Sequence, residues 1–313
     1  MKKIIIVFTL TVVVTTTGFA QLGTPMSQFS GNQMVYNPGY SGIYDVLSLN
    51  LTVHKSWVGI PGSPQLISLN GHAPFKRSRH ALGGVFQSEG WGPLTGNFVH
   101  GNYSCKMYLR NGILSLGLQA GALHHVVDWD IVRAGHVKDP DDPALGYGRE
   151  ANLRFDANVG IYYLAPKWYI GASVLHINNP KYGMVEIDGV DYYSQMRAQF
   201  IAIGGYSFEI DEQWSFRPEL FLRYVPTAPF AANIGLHGYY LNTYSAGINF
   251  MTGQKGVSFQ IKGTFSEQFR IGYSYNIYYG DIRPYQRGTH EVSINYLIKN
   301  IWGKDKTVDL LWL

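Results

Sequence analysis

Strict alternation of apolar and polar residues restricts the fold of this chain more than any other feature. Residues 47–54 read LSLNLTVH, with an apolar residue at every second position. Successive side chains of a β-strand point to opposite faces, so such a segment forms a strand with one apolar and one polar face. Fourteen segments of this kind are found, and no helical period of useful length. They are residues 45–56, 64–73, 81–88, 96–109, 113–127, 152–164, 167–177, 195–209, 213–225, 229–241, 243–252, 256–265, 268–279 and 289–299.

The length of these segments favours a membrane barrel over a soluble β-sandwich, which shows the same alternation. Most run for 10 to 15 residues, whereas an average strand has roughly 5–6 and a tilted membrane-spanning strand about 9–11. Only 15% of the residues are charged, against roughly 25% in an average soluble domain. The polar faces nevertheless carry both signs, as Arg217, Glu219 and Arg223 show. We therefore predict an all-β fold, a transmembrane antiparallel β-barrel of about 14 strands.

Aromatic residues and connections fit this prediction. Aromatic residues near the strand ends are expected to form the interfacial girdles of the barrel. They are Trp91, Trp168, Tyr169, Trp214, Tyr239, Tyr240, Tyr278 and Tyr279. Connections alternate between tight turns, such as Asn111-Gly112, and longer ones, of which residues 128–151 and 178–194 are the longest. Outer-membrane barrels have short periplasmic turns and long extracellular loops, which places the amino terminus in the periplasm.

The chain is predicted to divide into four parts. Lys2 and Lys3 precede an apolar run that ends in small residues at Gly18 and Ala20, which is typical of a secretory signal peptide over residues 1–20. Residues 21–42 form an amino-terminal segment in the periplasm or the lumen. Residues 43–299 form the barrel, and residues 300–313 a carboxy-terminal extension. The single cysteine, Cys105, excludes an intramolecular disulfide framework and a cysteine-based zinc site.

The amino-terminal and carboxy-terminal parts of the sequence resemble those of a known protein family. The resemblance is to the PorP/SprF family of outer-membrane proteins, which are associated with the type IX secretion and gliding machinery of the Bacteroidetes. The matching residues are Ser27, Gln28, Phe29, Asn37, Pro38, Gly39, Tyr40, Ser41, Gly42, Trp57, Val58, Gly59, Ile60, Pro64, Gly288, Thr289, His290, Glu291 and Val292. The continuation of the chain past Ile298 departs from the family pattern.

The resemblance implies a barrel that works within a secretion complex. Its implied partners are outer-membrane lipid, secreted surface proteins or adhesins, and other type IX secretion components. The alternative that the barrel itself leaves open is a channel or transporter for small or hydrophobic solutes.

The motif YNPGYSG at residues 36–42 immediately precedes the first strand. Pro38 fixes its own φ, and Gly39 and Gly42 both allow a positive φ. We expect a sharp reversal of the chain at the periplasmic mouth, which would make the motif a hinge between an amino-terminal arm and the barrel wall.

Charged residues are expected to face the lumen. They are Arg154, Asp156, Arg197, Arg217, Glu219, Arg223, Lys262, Arg270 and Glu291. Such residues either form a paired network that braces the lumen or line a selective pore. The sequence leaves both interpretations open, as it does the question of whether the amino-terminal segment plugs the lumen.

No sequence pattern indicates a reaction centre. The histidines at 124 and 125 are adjacent, so on a strand they point to opposite faces. Residues 139–143, DPDDP, lack the ligand spacing of a calcium loop. The formal net charge of +4 comes without a basic run, which argues against nucleic-acid binding. We therefore expect a non-enzymatic protein without a catalytic, metal or cofactor site.

Overall fold

A computed structural model of the chain describes residues 26–76, 78–135, 145–187, 190–266 and 268–298. The predicted signal peptide, the predicted extension over residues 300–313 and the DPDDP segment lie outside the described residues.

Fourteen antiparallel strands close into a barrel, which confirms the predicted fold class. Barrel strands that are neighbours in sequence pair with each other, and β1 pairs with β17. Strand β7 pairs with β10 across the β8–β9 insertion, and β10 pairs with β12 across β11. The strands are β1 Leu47–Lys55, β2 Gln65–Pro74, β3 His80–Trp91, β4 Leu94–Leu109, β5 Gly112–Asp128, β6 Arg149–Leu164, β7 Trp168–Leu175, β8 Lys181–Ile187, β9 Val190–Gln195, β10 Gln199–Tyr206, β11 Phe208–Glu209, β12 Trp214–Tyr224, β13 Ala231–Tyr240, β14 Tyr244–Met251, β15 Gly256–Thr264, β16 Phe269–Tyr278 and β17 Thr289–Ile298.

Three elements are additional to the fourteen barrel strands. Strands β8 and β9 form a separate two-stranded sheet, and β11 pairs only with the start of β12. The described ranges contain two short α-helices, α1 at Gln33–Tyr36 and α2 at Trp129–Gly135, together with 3-10 turns at Phe29–Asn32, Pro38–Tyr40 and Arg283–Tyr285. In the described residues, no helix has the length and apolar character needed to cross a membrane.

The two faces of the barrel follow the sequence alternation. In β1, Leu49, Leu51 and Val53 are exposed on the outside, whereas Asn50 and Thr52 are buried in the lumen. This is the inverse of a soluble protein, because a continuous outer belt of apolar side chains is unfavourable in water and favourable against lipid. The arrangement is that of an outer-membrane barrel.

Part of the aromatic girdle prediction is wrong. Trp168, Trp214 and Tyr279 are exposed on the outside, as expected, but Tyr169 and Tyr278 are buried in the lumen, and Tyr239 also faces inward and lines a cavity there. Tyr169 shares the inward face of β7 and stacks on the ring of Tyr162, with the ring centroids 5.6 Å apart. Alternation along a strand therefore predicts which side of the barrel wall an aromatic residue occupies better than its position near a strand end does.

The lengths of the connections fit the predicted orientation at most positions, and the two ends of the barrel are named periplasmic and extracellular according to that prediction. A two-residue turn joins β4 to β5, and Leu241 and Asn242 adopt the positive φ values of 51° and 53° that a tight hairpin requires. The two long extracellular connections contain secondary structure, namely α2 in one and the β8–β9 hairpin in the other. One extracellular connection is short, because only Gly92 and Pro93 separate β3 from β4.

Candidate functional site: the plugged lumen

Residues 26–46, hereafter the plug, lie inside the barrel. All of them except Gly31 and Asp45 are buried. Ser27 contacts residues toward the extracellular ends of β14 and β16, and Ser41 contacts Ser104 toward the periplasmic end of β4. The plug therefore crosses the lumen from its extracellular half to its periplasmic end, where β1 begins.

Apolar side chains of the plug form the main core of the molecule together with a few inward apolar residues of the wall. The rings of Phe29 and Tyr36 pack on Phe221 of β12, with centroid distances of 5.4 and 4.9 Å. Tyr40 packs edge-on against Tyr162 at 5.5 Å. Burial of one such side chain contributes about 1.5–3 kcal/mol, so these contacts together hold the plug strongly in an otherwise polar lumen.

Burial also affects the tyrosines of the plug. It raises the pKa of Tyr36 and of Tyr40 above the ordinary range, because the charged phenolate is disfavoured away from water. The Tyr36 hydroxyl remains neutral and accepts a hydrogen bond of 2.8 Å from the backbone N–H of Met26. This bond folds the start of the plug back onto helix α1.

Glu291 of β17 fixes the start of the plug. Its carboxylate accepts hydrogen bonds from the backbone N–H groups of Ser27 and Gln28, each 2.8 Å long. The same carboxylate lies 2.7 Å from Nδ1 of His54, and both side chains are fully buried. A buried carboxylate is costly unless it is fully hydrogen-bonded, and this one receives charge-assisted bonds on both oxygens. We call Glu291 and His54 the clasp.

Asparagine and glutamine side chains of the wall complete this attachment. The carbonyl oxygen of Ser27 accepts bonds from Asn249 at 2.9 Å and Gln260 at 2.7 Å. The Ser27 hydroxyl accepts one from Asn276 at 2.6 Å. The lumen is therefore polar at positions where it binds the backbone of the plug.

The NPG part of the YNPGYSG motif is bound by the opposite wall. Asn37 donates from Nδ2 to the carbonyl oxygens of Ile161 at 2.9 Å and Ala172 at 3.3 Å, on the neighbouring strands β6 and β7. Its Oδ1 accepts the Gly39 N–H at 2.8 Å, and the Pro38 carbonyl accepts a bond from Asn102 at 3.2 Å. Asn37 thus connects the turn to the barrel wall through a single side chain.

Three inward glycines on β5, β6 and β7 make room for this turn. A Cβ atom at Gly117 would lie 2.1 Å from the carbonyl carbon of Pro38, and one at Gly160 would lie 2.2 Å from Asn37 Oδ1. At Gly171 the corresponding distance to Asn37 Nδ2 is 2.6 Å. No side chain fits at these positions while the plug is in place, and we call the three glycines the glycine seat.

The hinge interpretation of the motif needs correction. Gly42 has a positive φ of 65°, as expected, but Gly39 is not among the residues with positive φ and lies in the 3-10 turn Pro38–Tyr40. Close packing explains the glycine at 39 instead, because its Cβ would approach Ser115 O and Tyr162 N to 3.1 Å. The motif is buried inside the barrel and does not lie at its mouth.

Two cavities lie beside the plug in the part of the chain that the structure describes. The larger one, hereafter the periplasmic cavity, has a volume of about 150 Å³ and lies between the plug and the walls of β12–β17 and β1–β2. Its charged lining residues are Arg217, Glu219, Lys262 and Arg270. The smaller cavity, of about 60 Å³, lies on the extracellular side and includes Glu89 and Arg223 in its lining. The plug separates the two.

The predicted lumen charges are distributed over both halves of the barrel. Eight of them lie on inward positions of barrel strands, namely Arg154, Asp156, Arg217, Glu219, Arg223, Lys262, Arg270 and Glu291. Arg197 does not belong to this set, because it is exposed on the link between β9 and β10.

Two of the charged residues on β6 have clear bracing contacts on the extracellular side. Asp156 is fully buried and lies 2.8 Å from His100 Nε2 and 2.9 Å from His176 Nδ1. Arg154 donates from Nε to the carbonyl oxygen of Lys181 at 2.7 Å, which connects the wall to the β8–β9 hairpin. These contacts favour the bracing interpretation for this part of the lumen.

The remaining motif residues lie at the extracellular rim, where the first and last loops contact each other. The Val58 N–H donates to Gly288 O at 2.9 Å, and the Arg287 N–H donates to Val58 O at 2.7 Å. Trp57 and Gly59 take positive φ values of 47° and 105° in this turn. We call residues 56–64 and 279–288 the paired rim loops.

Two further motif residues lie at the edges of this rim. The carbonyl oxygen of Pro64 accepts the Ser56 N–H at 2.9 Å, which closes the first rim loop. His290 is on the outer face of β17, where its Nδ1 lies 2.7 Å from the hydroxyl of Tyr273.

The histidine pair considered above is split by the strand. His125 is buried on the inward face of β5, with its ring 4.3 Å from that of Tyr182, and His124 is on the other face. Burial raises the pKa of Tyr182 to about 12. Within the described ranges, no group of three or more His, Cys, Asp or Glu residues is arranged to hold a metal ion.

Sequence reasoning missed part of this site. The glycine seat, His54 as the partner of Glu291 and His72 at the periplasmic cavity were not singled out. Alternation assigns His54 and His72 to inward faces, and this was the available signal. Nothing in the sequence showed that the plug would bind there.

Comparison with solved structures shows the same fold at low identity. The chain is similar to the CymD monoaromatic hydrocarbon channel, with 12% identity, a TM-score of 0.51, and coverage of 85% of this chain and 92% of that chain. It is similar also to the Ralstonia pickettii toluene transporter TbuX, with 11% identity, a TM-score of 0.51 and the same coverage. At this identity the likeness concerns the fold alone. No curated protein matches the sequence significantly.

A family model gives the more specific result. The model described as type IX secretion system membrane protein PorP/SprF matches residues 18–296, which is most of the chain. The match includes the plug, the glycine seat, the clasp and the paired rim loops. Together with the barrel fold it supports location in the outer membrane. The chain therefore belongs to the PorP/SprF family of type IX secretion system membrane proteins.

Proposed function

We propose that this protein is a non-enzymatic accessory of type IX secretion, which binds protein partners and helps to export or retain cell-surface proteins. The observation that carries the proposal is the plug. Its backbone is bound by the clasp, by wall amides and by the glycine seat, so the lumen is occupied by the protein's own chain. A barrel filled in this way offers its rims to partners.

The extracellular rim supplies the contact surfaces, namely α2, the β8–β9 hairpin and the paired rim loops. The hairpin is anchored to the barrel, since Tyr182 packs in a cluster with Phe98, Leu123 and Met196. The paired rim loops are held by backbone hydrogen bonds. Ordered loops of this kind present a defined shape, which lowers the entropic cost of binding.

Crosslinking in native outer membranes tests the proposal. The protein is crosslinked in place, purified under denaturing conditions, and its attached proteins are identified by mass spectrometry. An outer-membrane barrel of similar abundance from the same cells is the control. We expect secretion components or secreted surface proteins with this chain and not with the control. Recovery of porin-like neighbours alone would contradict the proposal.

The alternative function is a channel for small or hydrophobic solutes. The two similar structures carry the names of a hydrocarbon channel and a toluene transporter, but their likeness supports only a shared fold. Conductance in planar bilayers distinguishes the two functions. A steady conductance of solute size in the wild-type protein would support the channel, and a silent barrel supports the accessory.

A further inference from the structure

The periplasmic cavity concentrates positive charge. Arg217, Lys262 and Arg270 line it on the side of β12–β17, and among the described residues Glu219 is the single carboxylate of its lining. Like charges in a partly enclosed, low-dielectric space repel each other strongly. A surplus of positive charge in such a cavity is therefore expected to attract an anion.

The cations occupy one band of the wall. Tyr239, Ser245 and Lys262 are direct cross-strand partners on β13, β14 and β15. Arg270 pairs with Thr264, two residues beyond Lys262, so the two cations are diagonal neighbours about 7–8 Å apart at their Cα atoms. At the other end of the band, the Arg217 guanidinium lies 3.8 Å above the ring of Tyr239. The band lies near the periplasmic ends of the strands.

Two of these cations are oriented by other parts of the molecule. The Tyr239 ring fixes the plane of the Arg217 guanidinium by cation–π contact. Lys262 donates from Nζ to the Ser30 hydroxyl of the plug at 2.8 Å, which uses one of its three donors. Their positive groups are therefore placed before any ligand arrives, which reduces the cost of binding.

His72 adds a neutral donor on the opposite side of the cavity. Its Nδ1 accepts the N–H of Gly42 at 3.1 Å, so in the neutral ring the proton is on Nε2. This Nε2 is buried and has no hydrogen-bond partner, and His72 is only 4% exposed. A buried donor without a partner is costly, and a ligand oxygen would satisfy it.

The size of the cavity restricts the ligand. One water needs about 10–15 Å³ of such space, and the cavity offers about 150 Å³. The space therefore suits an organic group of several non-hydrogen atoms. Planar guanidinium donors match the two oxygens of a carboxylate. Met34 and Tyr40 of the plug supply an apolar side of the cavity for the carbon part of the ligand.

We propose that the periplasmic cavity is a binding site for a carboxylate ligand that enters from the periplasm, held by Arg270 and Lys262 with His72 Nε2 and Arg217 as further donors. The carboxylate is either that of a small organic acid or that of an acidic side chain on a polypeptide. The inference does not depend on the proposed function, because a carboxylate site is compatible with an accessory and with a channel.

Titration of the purified full-length protein in detergent tests the site. The probes are succinate, a tri-glutamate peptide, inorganic phosphate and chloride, all at matched ionic strength, with binding followed by calorimetry. We expect saturable binding of succinate or the peptide and none of chloride. The Arg270→Gln and Lys262→Gln variants should each weaken that binding about tenfold or more, since each removes a hydrogen bond to a charged group.

A matched variant controls for loss of charge elsewhere. Arg149 is highly exposed at the extracellular end of β6, in an ion pair with Asp128, and Arg149→Gln should bind the probes as the wild type does. Heat-modified migration in gel electrophoresis verifies that each variant is a folded barrel.

The outcomes of the titrations distinguish the two sources of the carboxylate and include results that would overturn the proposal. Tighter binding of tri-glutamate assigns the site to a polypeptide, and tighter binding of succinate assigns it to a small acid. Absence of saturable binding by either carboxylate, preference for phosphate over both carboxylates, or equal effects of Arg149→Gln and Arg270→Gln in folded barrels would overturn the proposal. Failure of the crosslinking experiment would leave these titrations unchanged, so the two proposals are tested separately.

Discussion

The glycine seat predicts that one added methyl group will displace the plug. In Gly117→Ala, the new Cβ would lie 2.1 Å from the carbonyl carbon of Pro38 and 2.3 Å from the backbone nitrogen of Gly39. Both are backbone atoms, so no side-chain rotation relieves the overlap, and the turn has to move by more than about 1 Å to reach ordinary van der Waals contact.

The magnitude follows from the cost of overpacking a filled site. Forcing a methyl group into a well-packed interior costs about 1–3 kcal/mol. The cost applies only to the plugged state, so it shifts the ratio of unplugged to plugged molecules by about 5- to 150-fold. We expect the open-channel probability of Gly117→Ala in planar bilayers to rise by such a factor over the wild type.

Gly101→Ala is the matched control. Gly101 is on the neighbouring strand β4 but faces outward, and its added Cβ would have its nearest neighbour, Ala120 O, at 3.9 Å. This variant changes the same residue type without touching the plug, so its conductance should equal that of the wild type. A folded Gly117→Ala barrel with wild-type conductance and wild-type resistance of its amino terminus to protease would refute the role of the glycine seat.

Three further predictions concern the clasp, the NPG turn and the rim. Glu291→Gln should destabilise the plug by about 1–3 kcal/mol, because charge-assisted bonds to two backbone N–H groups are lost. Protease should then cleave this variant near its amino terminus. The exposed Glu209→Gln is the control, and equal protease resistance of both variants would contradict the role of the clasp. Asn37→Ala should lower the heat-modification midpoint, since two carbonyl oxygens of the wall lose their bond to its side chain, and an unchanged midpoint would count against that attachment. Gly288→Val should disrupt the paired rim loops more than Gly280→Val. Both glycines have positive φ, but only a Cβ at residue 288 would clash, 2.4 Å from Tyr275. We expect Gly288→Val alone to lose its crosslinks to partners, and equal crosslinking of the two variants would argue against the rim as a contact surface.

Alternation was sufficient to predict the barrel because it is a local property. The side-chain period of two in a segment such as β1 reports directly which face meets lipid, and each predicted segment overlaps a barrel strand. The same period would have placed Tyr169, Tyr239 and Tyr278 in the lumen, since they share the parity of the polar positions of β7, β13 and β16. The error over these three residues arose from using their position near strand ends in place of their parity.

The contacts of the plug could not be predicted from the sequence, because they join residues that are far apart along the chain. Asn37 bonds to carbonyl groups 124 and 135 residues away, and no periodicity relates such positions. The glycine seat is harder still to predict, because an inward glycine shows only that a side chain is absent and not what occupies the space. The resemblance at the two ends of the sequence did point to the right residues, and their proximity became visible only in the folded chain.

The clasp has a consequence for the order in which the molecule is assembled. Ser27 and Glu291 are 264 residues apart, and Glu291 is on the last strand, which closes the barrel against β1. The start of the plug therefore gains its final attachment only after the carboxy-terminal strand has been made and paired. Long-range contacts of this kind form late, because the chain entropy of closing the loop is lost before the contact is gained. A barrel whose seam is incomplete lacks the carboxylate that fixes its own amino terminus, so a secured plug marks a completed molecule.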